Sequence, residues 1–232
     1  MRAIGVGVVI AALAGMAVAE EVEMVQLKIE NPKPLMSSGP FSPESAQNLE
    51  PPRDGKPYPP IFVPKGCDQL LSGGCKVTSS DPFPLMGALS MLTDGDKEDY
   101  PIGNRDLGGW VTRLMLNLGL QWVQIDLGEQ KEIYAVCIWH MNGRPSVFKD
   151  VLVLVSDDPD FVDGVVTLFN NDHDNSVGFG KGKDFEYIET HRGRPIAAGG
   201  VKGRYVRCYN GGAYGGGLLK ASYMQVEVFG RK

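Results

Sequence analysis

The sequence lacks the motifs that mark several common classes of protein. It has only four cysteines and three histidines in 232 residues, and no two cysteines form a C-x-x-C pair. Structural zinc sites, thioredoxin-like redox centres and c-type haem attachment therefore lack their usual sequence pattern. Beyond the N-terminus, no hydrophobic run reaches the roughly 20 residues that a membrane-spanning helix needs.

Basic residues are in the minority. Lysine and arginine together number 23 against 28 aspartates and glutamates, which gives a formal net charge of −5 at pH 7. Proteins that bind nucleic acid concentrate positive charge on one face. The charge balance therefore argues against nucleic acid as a partner and is compatible with a cation or a neutral ligand.

Catalytic motifs are also scarce. No G-x-S-x-G motif accompanies His140, His173 and His191, and neither glycine-rich segment matches the phosphate-binding pattern G-x-x-x-x-G-K-S/T. Aspartate and glutamate are abundant, so counting alone leaves open a carboxylate pair for glycoside hydrolysis. We expect a protein that is not an enzyme, with a small hydrolase as the least favoured alternative.

The first 19 residues predict a signal peptide. Arg2 precedes an apolar run over residues 4–18, and Ala17-Val18-Ala19 offers an A-x-A cleavage site before Glu20. An uncleaved N-terminal anchor is the alternative. We expect cleavage after Ala19 and a mature protein that is secreted or lies in the periplasm or cell envelope, with no membrane span.

Residues 20–66 are predicted to form a proline-rich extended arm. Prolines recur between Pro32 and Pro64, and proline lacks an amide donor and disfavours helix in the residue before it. We expect the arm to lie on the surface or to lead to a neighbour, either as a spacer or as a docking segment.

Residues 67–232 carry the pattern of an all-β domain. Short runs rich in Val, Ile, Tyr, Phe and Trp are bounded by turn residues, and residues 223–229 alternate between two faces. Many short strands with glycine-rich turns predict an antiparallel β-sandwich or jelly roll. Two windows, 84–92 and 110–118, are compatible with short helices but lack strong caps.

The four cysteines permit two disulfides, as expected in an exported protein. Cys67 and Cys75 flank a glycine-rich turn and favour a local bridge. Cys137 and Cys208 lie in separate strand-like runs, where they either bridge neighbouring strands or remain reduced in the core. Spacing does not decide between these alternatives, because a bridge needs Cα atoms within about 7 Å of each other.

An acidic turn is the first candidate site. Asp94, Asp96 and Asp99 surround Gly95, and calcium prefers roughly six to eight hard oxygen ligands. The segment is not an EF-hand, because residue 105 is arginine where the loop would need glutamate. On spacing alone, a solvated turn is the favoured interpretation and a calcium site is the alternative.

Several short motifs follow one another in order along residues 70–230. They are GCKVTSS at 74–80, LTDGD at 92–96, WVQIDLG at 122–128, IYAVCI at 133–138, VLVSDD at 153–158, GRYVR at 203–207 and VEVFG at 226–230. Together they resemble the discoidin family, the coagulation-factor type C or galactose-binding-like domain that also occurs as carbohydrate-binding modules on bacterial glycosidases. The resemblance implies the same sandwich fold and offers no catalytic residues.

The resemblance also implies one structural calcium ion, held where the loop before the second strand meets the last strand. The family pattern is D-G-N/D-x-x-T plus a late glutamate, and Asp99 stands where threonine is usual, which keeps an oxygen donor. The implied ligands are the side chains of Asp94, Asp96, Asp99 and Glu227 and the main-chain carbonyls of Met91 and Val226.

Candidate ligand-binding residues lie where strand-like runs enter loops. Aromatic rings stack on the apolar face of a pyranose, and Arg, Asn or His side chains hydrogen-bond its hydroxyls. The alternative is that the tryptophan is core and the histidine caps a turn. The residues of these types are Trp139, His140, Asn142 and Arg144, with Tyr214 in a glycine-rich loop.

These observations predict a non-catalytic, calcium-stabilised module that binds carbohydrate outside the cytoplasm. Its partner would be a glycan or polysaccharide, bound in a shallow site with little conformational change. The alternative is a structural or adhesion protein that binds another protein or a cell-envelope component through the same domain.

Overall fold

The computed structural model describes residues 22–34, 46–98, 113–141, 146–214 and 220–232. The predicted signal peptide lies outside these ranges, as do three candidate site residues, Asp99, Asn142 and Arg144. No helix in the described ranges has the length and apolar character needed to cross a bilayer.

Strands dominate the described residues, and every pairing between them is antiparallel. A two-stranded sheet pairs β1 with β2, and the other strands form one network in the order β3-β10-β6-β9-β7-β8, with β4 on β6 and β5 on β10. The all-β prediction is confirmed. The strands are β1 (Met24–Gln26), β2 (Phe62–Pro64), β3 (Gln69–Leu70), β4 (Lys76–Ser79), β5 (Leu114–Leu118), β6 (Gln121–His140), β7 (Leu152–Ser156), β8 (Val166–Asn170), β9 (Arg194–Asn210) and β10 (Lys220–Arg231).

The long strand β6 takes part in two sets of pairings. Its first half pairs with β4 and β9, and its second half pairs with β10 and the beginning of β9. The register shifts between Asp126 and Lys131, where Gly128 has φ +86°, a conformation that favours glycine. Val123 in the first half and Val136 in the second half belong to the same buried cluster, so the bend lets one strand enclose one core.

A second core lies on the other side of β6 and β10. Alternate residues of β6, among them Cys137 and Trp139, face away from the main core. The N-terminal arm covers them through Leu27 and Val63, together with Cys67, the residue that follows the arm. The described parts of the arm lie on the sandwich and add to its hydrophobic packing.

A charged cluster attaches the part of the arm that begins at residue 46 to strand β9. Arg53 donates two hydrogen bonds of 2.9 Å to the Glu50 carboxylate, and Arg194 of β9 donates another of 2.9 Å. The Arg53 guanidinium lies over the ring of Tyr58, with 3.7 Å between the guanidinium carbon and the ring centroid. Burial opposes the ionisation of Glu50, but the hydrogen bonds and charges of the two arginines outweigh it and lower the pKa of this carboxyl.

This lowered pKa predicts a pH-dependent contribution to stability. Glu50 stabilises the fold fully above the pKa it has in the unfolded chain, and the contribution is lost as pH falls through the lower folded pKa. At pH 7, Glu50→Gln should cost about 1–2 kcal/mol. Urea denaturation of both proteins at several pH values should show this gap closing as the pH falls from the ordinary glutamate value of 4.5 through the lower folded pKa. A gap that stayed constant would contradict the assignment.

The cysteine expectation is corrected in part. All four cysteines are free thiols. Cys67 belongs to the core beneath the arm whereas Cys75 packs on the main core, so the favoured local bridge is absent. Cys137 and Cys208 also lie in different cores, which matches the alternative of two reduced core cysteines. Burial raises the pKa of the Cys208 thiol to about 12 and that of Cys137 well above its usual value.

The two helical windows have different outcomes. The first holds a short 3-10 helix at Leu89–Thr93. In the second, the described residues form strand β5, which pairs with β10 through Leu114 and Met115. The pairing satisfies the backbone of this segment and buries Leu114 and Leu116 in the main core, so tertiary contacts override the local pattern.

Candidate functional site

Trp139 is not the predicted sugar-stacking ring. Its side chain is completely buried in the core beneath the arm, and its indole nitrogen donates a 3.1 Å hydrogen bond to the carbonyl of His191. The Lys97 ammonium lies 4.6 Å from the ring centroid. A ring enclosed in this way cannot stack on a pyranose, so the alternative of a core tryptophan is the one observed.

His140 is buried as well. Its ring stacks on Phe148 with 4.6 Å between centroids, and its Nδ1 lies 2.9 Å from Oε2 of the buried Glu189. The other polar atoms of this pair, Nε2 of His140 and Oε1 of Glu189, have no hydrogen-bond partner among the described residues. The prediction of His140 as a surface ligand is therefore wrong, since it belongs to an interior pair.

Tyr214 lies at the surface, but its hydroxyl is hydrogen-bonded to another side chain of the protein. Its half-buried side chain donates a 2.6 Å hydrogen bond from the hydroxyl to Oε1 of Glu186. Burial and this carboxylate raise the pKa of Tyr214. With Trp139 and His140 inside the protein, the predicted set does not form one exposed site in the described part of the chain.

Phe83 has the most exposed phenyl ring among the described residues. Its side chain is 82% exposed, the most of any large hydrophobic residue in the described ranges. The loop that carries it is held from within, because buried Asp81 accepts hydrogen bonds from the Phe83 amide at 3.0 Å and from the Asn117 amide and side chain at 2.9 and 2.8 Å. A fixed loop therefore holds an exposed phenyl ring.

The segment that carries this ring is bonded to the end of β5 and the start of β6, which also present exposed side chains. The segment 80–86 lies against the turn between β5 and β6, where Ser80 donates a 2.6 Å hydrogen bond to Gln121 and accepts one of 2.9 Å from the Trp122 amide. Met86 pairs with Met115 at the other end of the segment. We call the resulting surface the Phe83 patch, formed by exposed Phe83, Leu85, Leu118 and Leu120 with Asn117 and Gln121.

A sequence signal for the Phe83 patch does exist. Phe83 stands between Pro82 and Pro84, and proline on both sides keeps it out of a regular helix or an inner strand. A large aromatic residue in such a turn has no periodic partner to pack against. It was not among the candidates predicted from the sequence because it does not lie at the end of a strand-like run.

The residues expected to bind calcium are arranged differently. Glu227 of β10 forms a 2.7 Å ion pair with Lys97, and the side chains retain 8% and 10% of their exposure. Asp94 and Asp96 are exposed, and each accepts a hydrogen bond from a backbone amide two residues later, at 2.9 and 3.0 Å.

The expected main-chain ligands are engaged too. Oriented to satisfy its neighbours, the Gln225 amide donates to the carbonyl of Met91 at 3.0 Å and accepts from the amide of Gly95 at 2.9 Å. The Val226 carbonyl accepts a 3.2 Å hydrogen bond from the Ser72 hydroxyl. The described residues at this place therefore do not fit the calcium ion that the resemblance implied, and calcium binding itself stays a prediction.

Three aspartates do form a cluster in the described ranges. Carboxylate oxygens of Asp150, Asp172 and Asp174 lie within 4.8 Å of one another. Buried Asp172 already accepts hydrogen bonds from the amides of Ser176 and Val177. Burial raises the pKa of Asp150, and its acidic neighbours add to the shift. The group braces the loop that follows β8.

Comparisons with known proteins give structural neighbours only. No protein-family model and no curated protein matches this chain. A family 89 glycoside hydrolase of Clostridium perfringens, in complex with GlcNAc-alpha-1,4-galactose, aligns with 70% of the chain at 14% identity and a TM-score of 0.49, and the chain spans 15% of that protein's length.

Two isolated modules align over nearly their whole length. Chitosan-binding module 1 of a Paenibacillus sp. IK-5 chitosanase/glucanase is covered to 98% by 69% of this chain, at 16% identity and a TM-score of 0.47. A CBM32 module of Clostridium perfringens, in complex with GalNAc-beta-1,3-galactose, is covered to 99% by 69% of this chain, at 15% identity and a TM-score of 0.47. Both of these neighbours are carbohydrate-binding modules.

Proposed function

We propose that this protein is a non-catalytic glycan-binding module and that its ligand stacks on the ring of Phe83. The observation that carries the proposal is an almost fully exposed phenyl ring on a loop fixed by buried Asp81. Exposing a large aromatic ring forgoes the free energy of burying it, so its presence at a braced position favours a binding role.

The neighbouring groups suit a neutral sugar. The apolar C–H face of a pyranose packs on an aromatic ring, and amide side chains hydrogen-bond its hydroxyls. Asn117 uses its side-chain nitrogen to brace Asp81, and its Oδ1 accepts no hydrogen bond from the described residues. Leu118 and Leu120, at the end of β5 and in the turn after it, are exposed apolar side chains.

The place of action is a further part of the proposal. The predicted signal peptide at residues 1–19 supports export, so the glycan would be met outside the cytoplasm. A surface site with an already fixed loop needs little rearrangement on binding, which suits shallow recognition of an exposed sugar.

Phe83→Ala tests the proposal. A glycan array should identify a ligand of the wild type, and calorimetry should show that the variant binds it at least about tenfold more weakly, because the stacking contact is lost. The melting temperature should stay within about 1 °C of wild type, because an exposed ring contributes little to the fold. Phe62→Ala is the matched control, since Phe62 is 56% exposed but lies on β2 of the arm.

A second function, protein-mediated adhesion, is favoured by the leucines of the Phe83 patch. Leu118 is 63% exposed at the end of β5, whose neighbour Asn117 is bonded to the Phe83 loop, and clustered exposed apolar residues mark protein interfaces. A negative glycan array, together with recovery of a protein partner that Leu118→Ser no longer captures, would replace glycan binding by adhesion. Equal glycan binding by wild type and Phe83→Ala would remove the stacking role.

A further inference from the structure

The Lys97 side chain has three partners in the interior between the acidic loop, the last strand and the arm. Its ammonium donates a 2.7 Å hydrogen bond to Oε1 of Glu227 and one of 2.6 Å to the carbonyl of Glu30. It also lies 4.6 Å from the centroid of the Trp139 ring. An ammonium has three N–H donors, so two oxygens and one aromatic face account for all of them.

One of the two oxygens that Lys97 binds, on the Glu227 carboxylate, is an oxygen that a calcium ion at this place would need. Glu227 is the late glutamate of the last strand, and the ammonium already neutralises its charge. The Met91 carbonyl is bound by Gln225, and the Val226 carbonyl is bound by Ser72. A metal ion here would have to displace a buried cation that is covalently part of the chain.

We propose that Lys97 supplies an intramolecular cation that replaces calcium at this junction, so that the clamp between loop and last strand is independent of metal. Burial of a carboxylate requires a paired positive charge, and Lys97 provides it without a binding equilibrium. The clamp cannot be removed by chelation because the charge is tethered to the loop.

The Lys97 ammonium also connects this junction to the N-terminal arm. Its bond to the Glu30 carbonyl fixes the first segment of the arm, and its contact with Trp139 lies within the core beneath the arm. A calcium ion held by the loop and the last strand alone would not supply this hydrogen bond to the arm. Lys97 therefore joins three parts of the chain, and this inference is independent of glycan binding because it is tested on the unliganded protein.

Thermal unfolding of the wild type provides the first test. Protein treated with EDTA and transferred to metal-free buffer should melt within about 1 °C of the same protein in excess calcium, since a ligand that does not bind the folded state cannot stabilise it. A rise of about 5 °C or more with calcium, or about one calcium ion per chain retained through purification, would overturn the proposal.

Lys97→Met provides the second test. The change keeps much of the side-chain volume and leaves the Glu227 carboxylate buried without its partner, so the melting temperature should fall by about 10 °C. The double variant Lys97→Met with Glu227→Leu should recover most of that loss, because an apolar pair can replace a buried ion pair. Failure of the single variant to fold, with recovery in the double variant, supports the same assignment.

Lys65→Met is the matched control. Lys65 forms an ion pair of 2.8 Å with Glu23, close to the 2.7 Å of the Lys97 pair, but these side chains are 68% and 64% exposed. Exposed pairs contribute little, so this variant should melt within about 1 °C of wild type. Equal melting temperatures for Lys97→Met, Lys65→Met and the wild type would refute the clamp.

Discussion

Replacing Trp139 by alanine is expected to lower the free energy of unfolding by about 3–5 kcal/mol. The residue is fully buried, its indole N–H is hydrogen-bonded to His191, and it packs where the arm covers the sheet. For a chain of this size the loss corresponds to a fall in melting temperature of about 10 °C. Protease cleavage of the arm should accelerate, because the removed ring is part of the surface on which the arm packs.

Comparison with Phe83→Ala distinguishes a residue needed for stability from one needed for ligand binding. The two aromatic residues lie at opposite extremes of exposure, 0% for Trp139 and 82% for Phe83. Trp139→Ala should therefore affect stability, and Phe83→Ala should affect ligand binding. A Trp139→Ala protein that melted within about 2 °C of wild type and lost its glycan affinity would restore the sequence-based interpretation of Trp139 as a stacking ring.

Gly193→Ala is the second change with a large expected effect. Gly193 has φ +60° in the turn that enters β9, and a Cβ atom would lie 2.6 Å from the Ile138 carbonyl oxygen and 2.8 Å from the Trp139 ring. Left-handed strain and overpacking together should cost about 2–5 kcal/mol, measured by urea denaturation.

Gly199→Ala separates the two causes. Gly199 has nearly the same backbone angle, φ +63°, but no atom lies within 4 Å of the position of its Cβ. This variant should lose only about 1–2 kcal/mol from backbone strain. Equal losses at Gly193 and Gly199 would show that the close approach of the turn to Trp139 is not part of the folded state.

The class of fold was predictable because strand signals are local. Alternating residues in β10 and the short apolar runs of β6 and β7 reveal which side chains share a face. For segment 110–118, local sequence signals did not distinguish a helix from a strand. Leucine favours helix as readily as strand, and the described part of this segment becomes β5 because it can pair with β10.

The identity of the exposed rings was not predictable in the same way. Trp139 stands near the end of a strand, which suggested a loop platform, but the arm folds back over it. Nothing local to Trp139 reveals that a segment about 75–110 positions earlier covers the ring. Phe83 had the better local signal, two flanking prolines, yet its exposure depends on how Asp81 and Asn117 brace the loop.

For the acidic loop and Glu227, part of the structure follows from the sequence and part depends on tertiary contacts. The sequence by itself determined that Asp94, Asp96 and Glu227 belong to a loop and a last strand of an antiparallel sandwich, because periodicity and turn residues are written in neighbouring positions. Only the tertiary structure decided that Lys97 faces Glu227. The partner of a buried charge is set by which side chains meet in space, and Lys97 and Glu227 are separated by 130 positions in the chain.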